Sequence, residues 1–168
     1  MAAWEFQALQ NIADKFGWHK FISMQNYYNL LYREEEREMI PYCKYAGVGL
    51  IPWSPLARGA LSRSLGAEDT TRESTDRILR SLIRGQETET DAKIISAVQT
   101  VAQKRGVSMA MVALAWCLSK NVCPIVGLSS TERIDEAVNS LSFVKHGLAQ
   151  EDITFLEQSY VPKEPLKV

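Results

Sequence analysis

The chain has 168 residues, of which 46% are hydrophobic and 23% are charged, as is usual for a globular domain with one core. Its 19 basic and 20 acidic side chains give a formal net charge of −1, so the charge balance predicts no surface for nucleic acid or an anionic membrane. No apolar run reaches the roughly 18 residues of a membrane-spanning helix, and residues 1–6 lack the order of a secretory signal. Three cysteines and two histidines fit no metal or redox motif, which favours a metal-free cytoplasmic protein.

The amino-terminal part of the chain predicts two helices, each followed by a short strand. Apolar residues recur at helical spacing over residues 6–16, and residues 21–25 then form an apolar run typical of a buried strand. A second helix is predicted from Glu34 to Tyr45, because three glutamates at its start suit the positive end of the helix dipole. Gly47 ends this helix, and residues 48–53 read as another strand.

The remainder of the chain predicts a long connection, one more strand and four helices. Residues 57–90 are rich in polar residues, and a connection of this length is typical of a functional lid or binding loop. Residues 123–126 form the third short strand. Helical patterns lie at residues 94–106, 108–118, 129–141 and 150–158. Cys43 and Cys117 fall inside helical patterns, where a small buried hydrophobic role is expected.

Short apolar strands that alternate with helices indicate parallel β/α units in a single α/β domain over residues 1–168. Three strands of this kind cannot close a barrel. They are therefore expected to leave open edges and a half-covered sheet, which a partner could complete.

Two segments carry residues suited to ligand binding. Pro52–Gly59 lies at the carboxyl end of a strand, where parallel α/β folds bind ligands, and offers an aromatic ring, a hydroxyl and an arginine. Gly127–Arg133 opens a helix directly after another strand, so its hydroxyls and backbone N–H groups could hold an anion, with Arg133 as a bidentate phosphate partner. Each pattern alone is also common as a structural helix cap or turn.

Together these segments resemble the aldo-keto reductase family. The resemblance extends over essentially the whole chain and is most specific in Gln25-Asn26-Tyr27, Ile51–Gly59 and Pro124–Ile134. It implies a (β/α)₈ barrel that uses NADPH, and sometimes NADH, to reduce the carbonyl of a small aldehyde or ketone to an alcohol. By the same comparison the chain is the carboxyl-terminal part of the barrel, with its three strands as the sixth, seventh and eighth.

The resemblance also implies roles for residues at the nicotinamide end of the cofactor. Gln25 matches a glutamine that hydrogen-bonds the nicotinamide carboxamide, and Trp53 matches the aromatic that stacks on the nicotinamide ring. Ser54, Leu56 and Arg58 match the stretch that wraps the pyrophosphate. A polar strand end and a core tryptophan are the plain structural alternatives for Gln25 and Trp53.

At the adenosine end, Ser129, Ser130 and Arg133 match the loop that grips the 2′-phosphate. Glu136 matches a position near the adenine amino group, for which a solvated charge on a helix face is the alternative. Gly127 stands where the family often has a lysine, and this departure weakens a strict preference for NADPH.

No catalytic residue is predicted in this chain. The family's tyrosine acid and its lysine, histidine and aspartate partners come from the first four strands, which would precede Met1. One reading is therefore half of an active reductase, completed by a missing amino-terminal half or a second copy. Two other readings are a non-catalytic NADPH-binding or interaction module and another barrel that binds a different phosphate.

Overall fold

The computed structural model describes residues 1–66 and 88–165, and the remaining part of the predicted 57–90 connection lies outside the described residues. The helices in these ranges are α1 (Ala3–Lys15), α2 (Met39–Ala46), α3 (Glu89–Arg105), α4 (Met109–Ser119), α5 (Thr131–His146) and α6 (Gln150–Glu157). Two strands, β1 (Ser23–Met24) and β2 (Gly49–Leu50), and two 3₁₀ turns, Glu34–Glu36 and Ala57–Ser62, complete these elements.

The three predicted strands lie side by side and run parallel. β1 pairs with β2, and a further parallel bridge joins Tyr27 to Trp53. The third segment adds to the other side of β2 through Cys123 N–H to the Leu50 carbonyl at 2.9 Å and Ile125 N–H to the Pro52 carbonyl at 2.8 Å. The structure is thus helix-rich with a small parallel sheet, which agrees with the predicted partial α/β fold.

Glycine and serine cap several of these helices, and the predicted helix end at Gly47 is confirmed. Gly47 and Gly106, at φ +69° and φ +65°, end α2 and α3 in the left-handed conformation that glycine adopts without steric cost. Ser108 caps α4, since its side chain accepts the Met111 N–H at 3.1 Å.

The core is centred on α4, which is buried on nearly all sides. Residues 112–117 of this helix are all buried. Four of them pack in one apolar cluster with side chains of α2 and α3, namely Val112, Ala113, Trp116 and Cys117. The prediction that Cys43 and Cys117 are buried is confirmed, because neither side chain is accessible to solvent. Burial raises the pKa of the Cys117 thiol to about 12, so this thiol stays protonated and unreactive.

The prediction of one continuous helix from Glu34 to Tyr45 was wrong. The first residues form a separate 3₁₀ turn, and α2 begins only at Met39. The reason is tertiary: buried Glu34 accepts hydrogen bonds at 2.7 Å from the Tyr160 hydroxyl and from the Lys163 N–H. The carboxylate therefore anchors the carboxyl-terminal tail instead of capping α2.

Two apolar faces at opposite ends of the sheet remain uncovered. On the β1 side, Ile22 is 85% exposed and the α1 residues Trp4 and Phe16 are also exposed. On the other side, α5 presents Ile134 and Val138 to solvent, so an apolar face of this helix is left partly uncovered by the described residues. This agrees with the expected open sheet edges. Among the helices described, none has the length and apolar character to cross a membrane.

Candidate functional site

The predicted site residues gather at the carboxyl edge of the sheet. Parallel bridges align Tyr27, Trp53 and Ile125 across the three neighbouring strands, so the loops that follow them leave from one edge. Gln25 precedes Tyr27 by two residues and is exposed at this edge.

An aromatic stack supports Trp53. The Tyr27 ring lies 4.5 Å from the Trp53 ring and 5.0 Å from the Tyr32 ring, measured between centroids. Burial raises the pKa of Tyr27, so its hydroxyl stays protonated. The Arg58 guanidinium carbon lies 6.0 Å from the Trp53 ring centroid, at the limit of a cation–π contact. The stack keeps the half-buried Trp53 ring in a fixed orientation.

The segment after Trp53 forms a tight turn, here called the left-handed turn (residues 54–59). Three of its residues that are not glycine have positive φ: Ser54 at 53°, Ala57 at 46° and Arg58 at 55°. Each such residue costs on the order of 1–2 kcal/mol, so the turn persists only because its surroundings fix it. Internal hydrogen bonds from Ala57 N–H to the Ser54 carbonyl and from Gly59 N–H to the Leu56 carbonyl, both 2.9 Å, close it. The predicted pyrophosphate residues thus lie in one compact, partly buried turn.

The segment after the third strand leads into the amino terminus of α5. Ser130 caps the helix by accepting the Arg133 N–H at 3.4 Å, and the Arg133 guanidinium donates to Ser129 Oγ at 3.2 Å. All three side chains are exposed at the positive end of the helix dipole, an arrangement suited to an anion. Glu136 accepts a hydrogen bond from the Ser108 hydroxyl and so ties α5 to the start of α4.

A cavity of about 920 Å³ lies beside Gln25 and Trp53. Its lining includes residues from both ends of the described chain, Met1 and Pro165 among them. The lining side chains described also include five glutamates and one arginine, and burial raises the pKa of one of these carboxyls, Glu35. The acidic side of the site is therefore at β1, whereas the arginines of the left-handed turn and of α5 lie beyond Trp53.

Sequence reasoning missed two features of this edge. Buried Asn29 joins the β1 side of the site to Ser54 through its side chain, and the Tyr160–Lys163 tail is fixed to Glu34. Neither contact has a local signal, because the partners are 25 or more residues apart. Among the residues described, no group of three or more histidine, cysteine, aspartate or glutamate side chains could hold a metal ion.

Comparison with known proteins shows what the chain is similar to. The chain is 59% identical over 164 residues to the versiconal hemiacetal acetate reductase of Aspergillus parasiticus. The aligned residues cover 97% of this chain and 47% of that protein. It is 55% identical over 163 residues to a "putative aryl-alcohol dehydrogenase" of Schizosaccharomyces pombe, with 96% and 45% covered. It is 44% identical over 165 residues to the aldo-keto reductase AMT2 of Alternaria alternata, with 98% and 43% covered.

The chain therefore spans about half the length of the curated relatives it matches. The model of one protein family, described as the Aldo/keto reductase family, matches residues 2–160. With nearly the whole chain matched, this protein belongs to the aldo/keto reductase family.

Proposed function

We propose that this chain forms the cofactor-binding side of an NADPH-dependent oxidoreductase that reduces aldehyde or ketone carbonyls to alcohols. The observation that carries the proposal is the common placement of Gln25, Trp53, the left-handed turn and the start of α5 at one edge of a parallel sheet. Ligands bind at this edge in parallel α/β folds.

The residues at this edge fit the chemistry of the cofactor. The nicotinamide would stack on Trp53 beside Gln25, since the ring is half-buried and backed by Tyr27. The phosphates would lie on the side of Arg58 and Arg133, away from the glutamates that border the cavity. Bound NADPH supplies a hydride, and the side chains of this chain bind and orient it.

In this proposal the three strands are the sixth, seventh and eighth of a (β/α)₈ barrel. The tyrosine, lysine, histidine and aspartate that carry out proton transfer belong to the preceding half, and this chain alone holds no catalytic residue. The carbonyl substrate would approach through the cavity, which the tail borders with Glu164 and Pro165.

Titration with NADPH tests the cofactor role of Trp53. We expect NADPH to quench the tryptophan fluorescence of the wild-type chain. The Trp53→Ala variant should bind at least about fivefold more weakly, because stacking on an aromatic side chain contributes about 1–3 kcal/mol. Isothermal titration calorimetry gives both dissociation constants.

The matched control is Trp18→Ala, which removes a tryptophan that is exposed and lies outside the cavity lining. This variant should bind NADPH as the wild type does. Absence of quenching at millimolar NADPH would contradict the proposed function. Equal affinity for NADPH and NADH would contradict the preference for NADPH and the assignment of Arg133, Ser129 and Ser130 to the 2′-phosphate, but it would leave the proposed nicotinamide site standing.

A second candidate function is favoured by the two uncovered apolar faces. We propose that another polypeptide covers them, namely the preceding half of a reductase barrel, because the relatives are about twice as long as this chain. Apolar residues presented on both sides of a small sheet are typical of protein interfaces. If that partner is not part of a reductase, the chain is a binding module without catalysis.

This partner proposal is tested by mixing the chain with the amino-terminal half of a family member and measuring the mass of the product by light scattering. We expect a one-to-one complex, weakened on the order of tenfold by Val138→Ser, because a polar hydroxyl replaces an apolar contact. Tyr45→Ser, at a residue that is 90% exposed on α2, is the matched control and should not weaken the complex. A chain that dimerises and ignores the added half would show that a second copy is the partner.

A further inference from the structure

Asn29 uses both ends of its side-chain amide. Its Oδ1 accepts the N–H groups of Leu31 at 2.9 Å and Tyr32 at 3.1 Å, which closes a tight turn after β1. Its Nδ2 donates to the Ser54 carbonyl at 3.0 Å, across 25 residues of sequence. The side chain is fully buried, so water does not compete for any of these bonds.

The Ser54 carbonyl is the entry point of the left-handed turn. The backbone of Trp53, just before it, is fixed on one side by its N–H bond to the Asn26 carbonyl at 2.9 Å and on the other by the bridge to Ile125. Beyond Trp53 the chain leaves the sheet through residues with positive φ, a conformation that residues other than glycine rarely adopt. The path of the backbone after Trp53 therefore depends on the hydrogen bonds that fix Ser54.

Among the described residues, two groups donate to the Ser54 carbonyl: the Ala57 N–H from inside the turn and the Asn29 amide from the neighbouring strand end. The amide joins the turn directly to the strand end that carries Gln25 and Tyr27. A strained turn persists when such contacts over-determine it, and the loss of one lets it relax.

We propose that Asn29 is a positioning residue that holds the left-handed turn in the conformation able to bind the cofactor pyrophosphate. This inference rests on the proposed function and adds a residue that touches neither the cofactor nor the substrate. Asn29 acts on the backbone of Ser54 and sets the distance between the nicotinamide end and the phosphate end of the site.

The variant that separates the two halves of the amide is Asn29→Asp. The carboxylate retains the acceptor for Leu31 and Tyr32 but places a charged oxygen against the Ser54 carbonyl where a donor stood. When protonated, the same side chain has an O–H that can donate to Ser54, so mild acid should restore the contact. Burial favours the neutral acid and brings this recovery into an accessible pH range.

Affinity for NADP⁺ is measured by calorimetry at several pH values between about 5.5 and 8 for Asn29→Asp and the wild type. We expect Asn29→Asp to bind about tenfold more weakly than the wild type at pH 8, as the loss of a buried hydrogen bond implies, and the ratio to approach one at the acid end. Hydrogen exchange of the backbone amides in residues 54–61, compared at each pH, should be faster in the variant only at high pH.

Ile40→Val, a buried substitution in α2 outside the turn, serves as the stability control. It should change neither the affinity for NADP⁺ nor the hydrogen exchange of residues 54–61. If Asn29→Asp merely lowers stability, with unchanged exchange in residues 54–61 and unchanged affinity of the folded protein, the proposal is overturned. If the wild type itself fails to bind NADP⁺, the proposed function fails. The exchange data then decide alone whether Asn29 holds the turn.

Discussion

Replacement of Trp116 by alanine is expected to lower the free energy of unfolding by about 3–5 kcal/mol, the range for deletion of a large aromatic side chain from a core. The side chain is fully buried in α4, its ring packs 5.2 Å from the Tyr28 ring, and its Nε1–H donates to Glu157 at 2.8 Å. The Arg33 and Lys120 side chains place their charges 5.7 Å and 5.3 Å from the ring. Urea denaturation followed by circular dichroism measures the change.

Two further variants separate the contributions of Trp116. Trp116→Phe retains most of the ring but removes the donor to Glu157, so a smaller loss of about 1–2 kcal/mol is expected. Trp18→Phe alters an exposed ring and should stay within about 0.5 kcal/mol of the wild type. A Trp116→Ala loss no larger than that of Trp18→Phe would show that α4 is not the centre of the core.

Replacement of Asp152 by alanine is expected to cost about 2–4 kcal/mol, because it strips the partner from two cations around a buried carboxylate. Asp152 is 2% exposed and accepts from Lys104 at 3.0 Å, from Arg105 at 2.8 and 2.5 Å, and from the Ala149 N–H at 3.2 Å. These contacts join α6 to the end of α3. The partial exposure of both cations sets the value below that of a fully buried pair.

The effect of Asp152 should depend on pH in a defined direction. Burial alone would raise the pKa of this carboxyl, but hydrogen bonds from Lys104, Arg105 and the Ala149 N–H lower it below its ordinary value. A lowered folded-state pKa means that the stabilisation is fully present above the unfolded pKa of about 3.9 and is lost as pH falls through the folded value. The stability gap between wild type and Asp152→Ala should therefore be constant from about pH 5 to 7 and narrow in stronger acid.

Unfolding free energies of the wild type and Asp152→Ala, measured from neutral pH down into the acid range, test the prediction. Asp14→Ala is the control, since Asp14 forms its ion pair with Lys20 on the surface, where solvent screens it. If the difference in unfolding free energy between the wild type and Asp152→Ala grew larger in acid, the assigned direction of the pKa shift would be wrong.

The sequence was sufficient for those elements whose signals are local. The α1 helix, the caps at Ser108 and Ser130 and the parallel order of the three strands follow from residue spacing and capping chemistry within a few neighbours. The common edge for Trp53 and the start of α5 followed from that order, because parallel strands end on the same side.

What escaped prediction depends on residues far apart in the chain. The break after Glu34 arises because its carboxylate is occupied by Tyr160 and Lys163, which follow it by more than 120 residues. The left-handed turn could not be predicted for another reason. Its positive-φ residues include Ser54, Ala57 and Arg58, whereas glycine is the residue type whose presence in a sequence indicates positive φ. The resemblance to a family matched Ser54 and Arg58 to the stretch that wraps the pyrophosphate, but it carried no information on what holds these residues in the turn.

The cavity beside Trp53 is walled in part by residues from opposite ends of the described range, Met1 and Pro165 among them. Its shape therefore depends on segments that lie far apart in the sequence. A substitution at residues 1–3 and one at residues 164–165 should change the size of the same space, so the cavity can be reshaped without altering Trp53 or the left-handed turn.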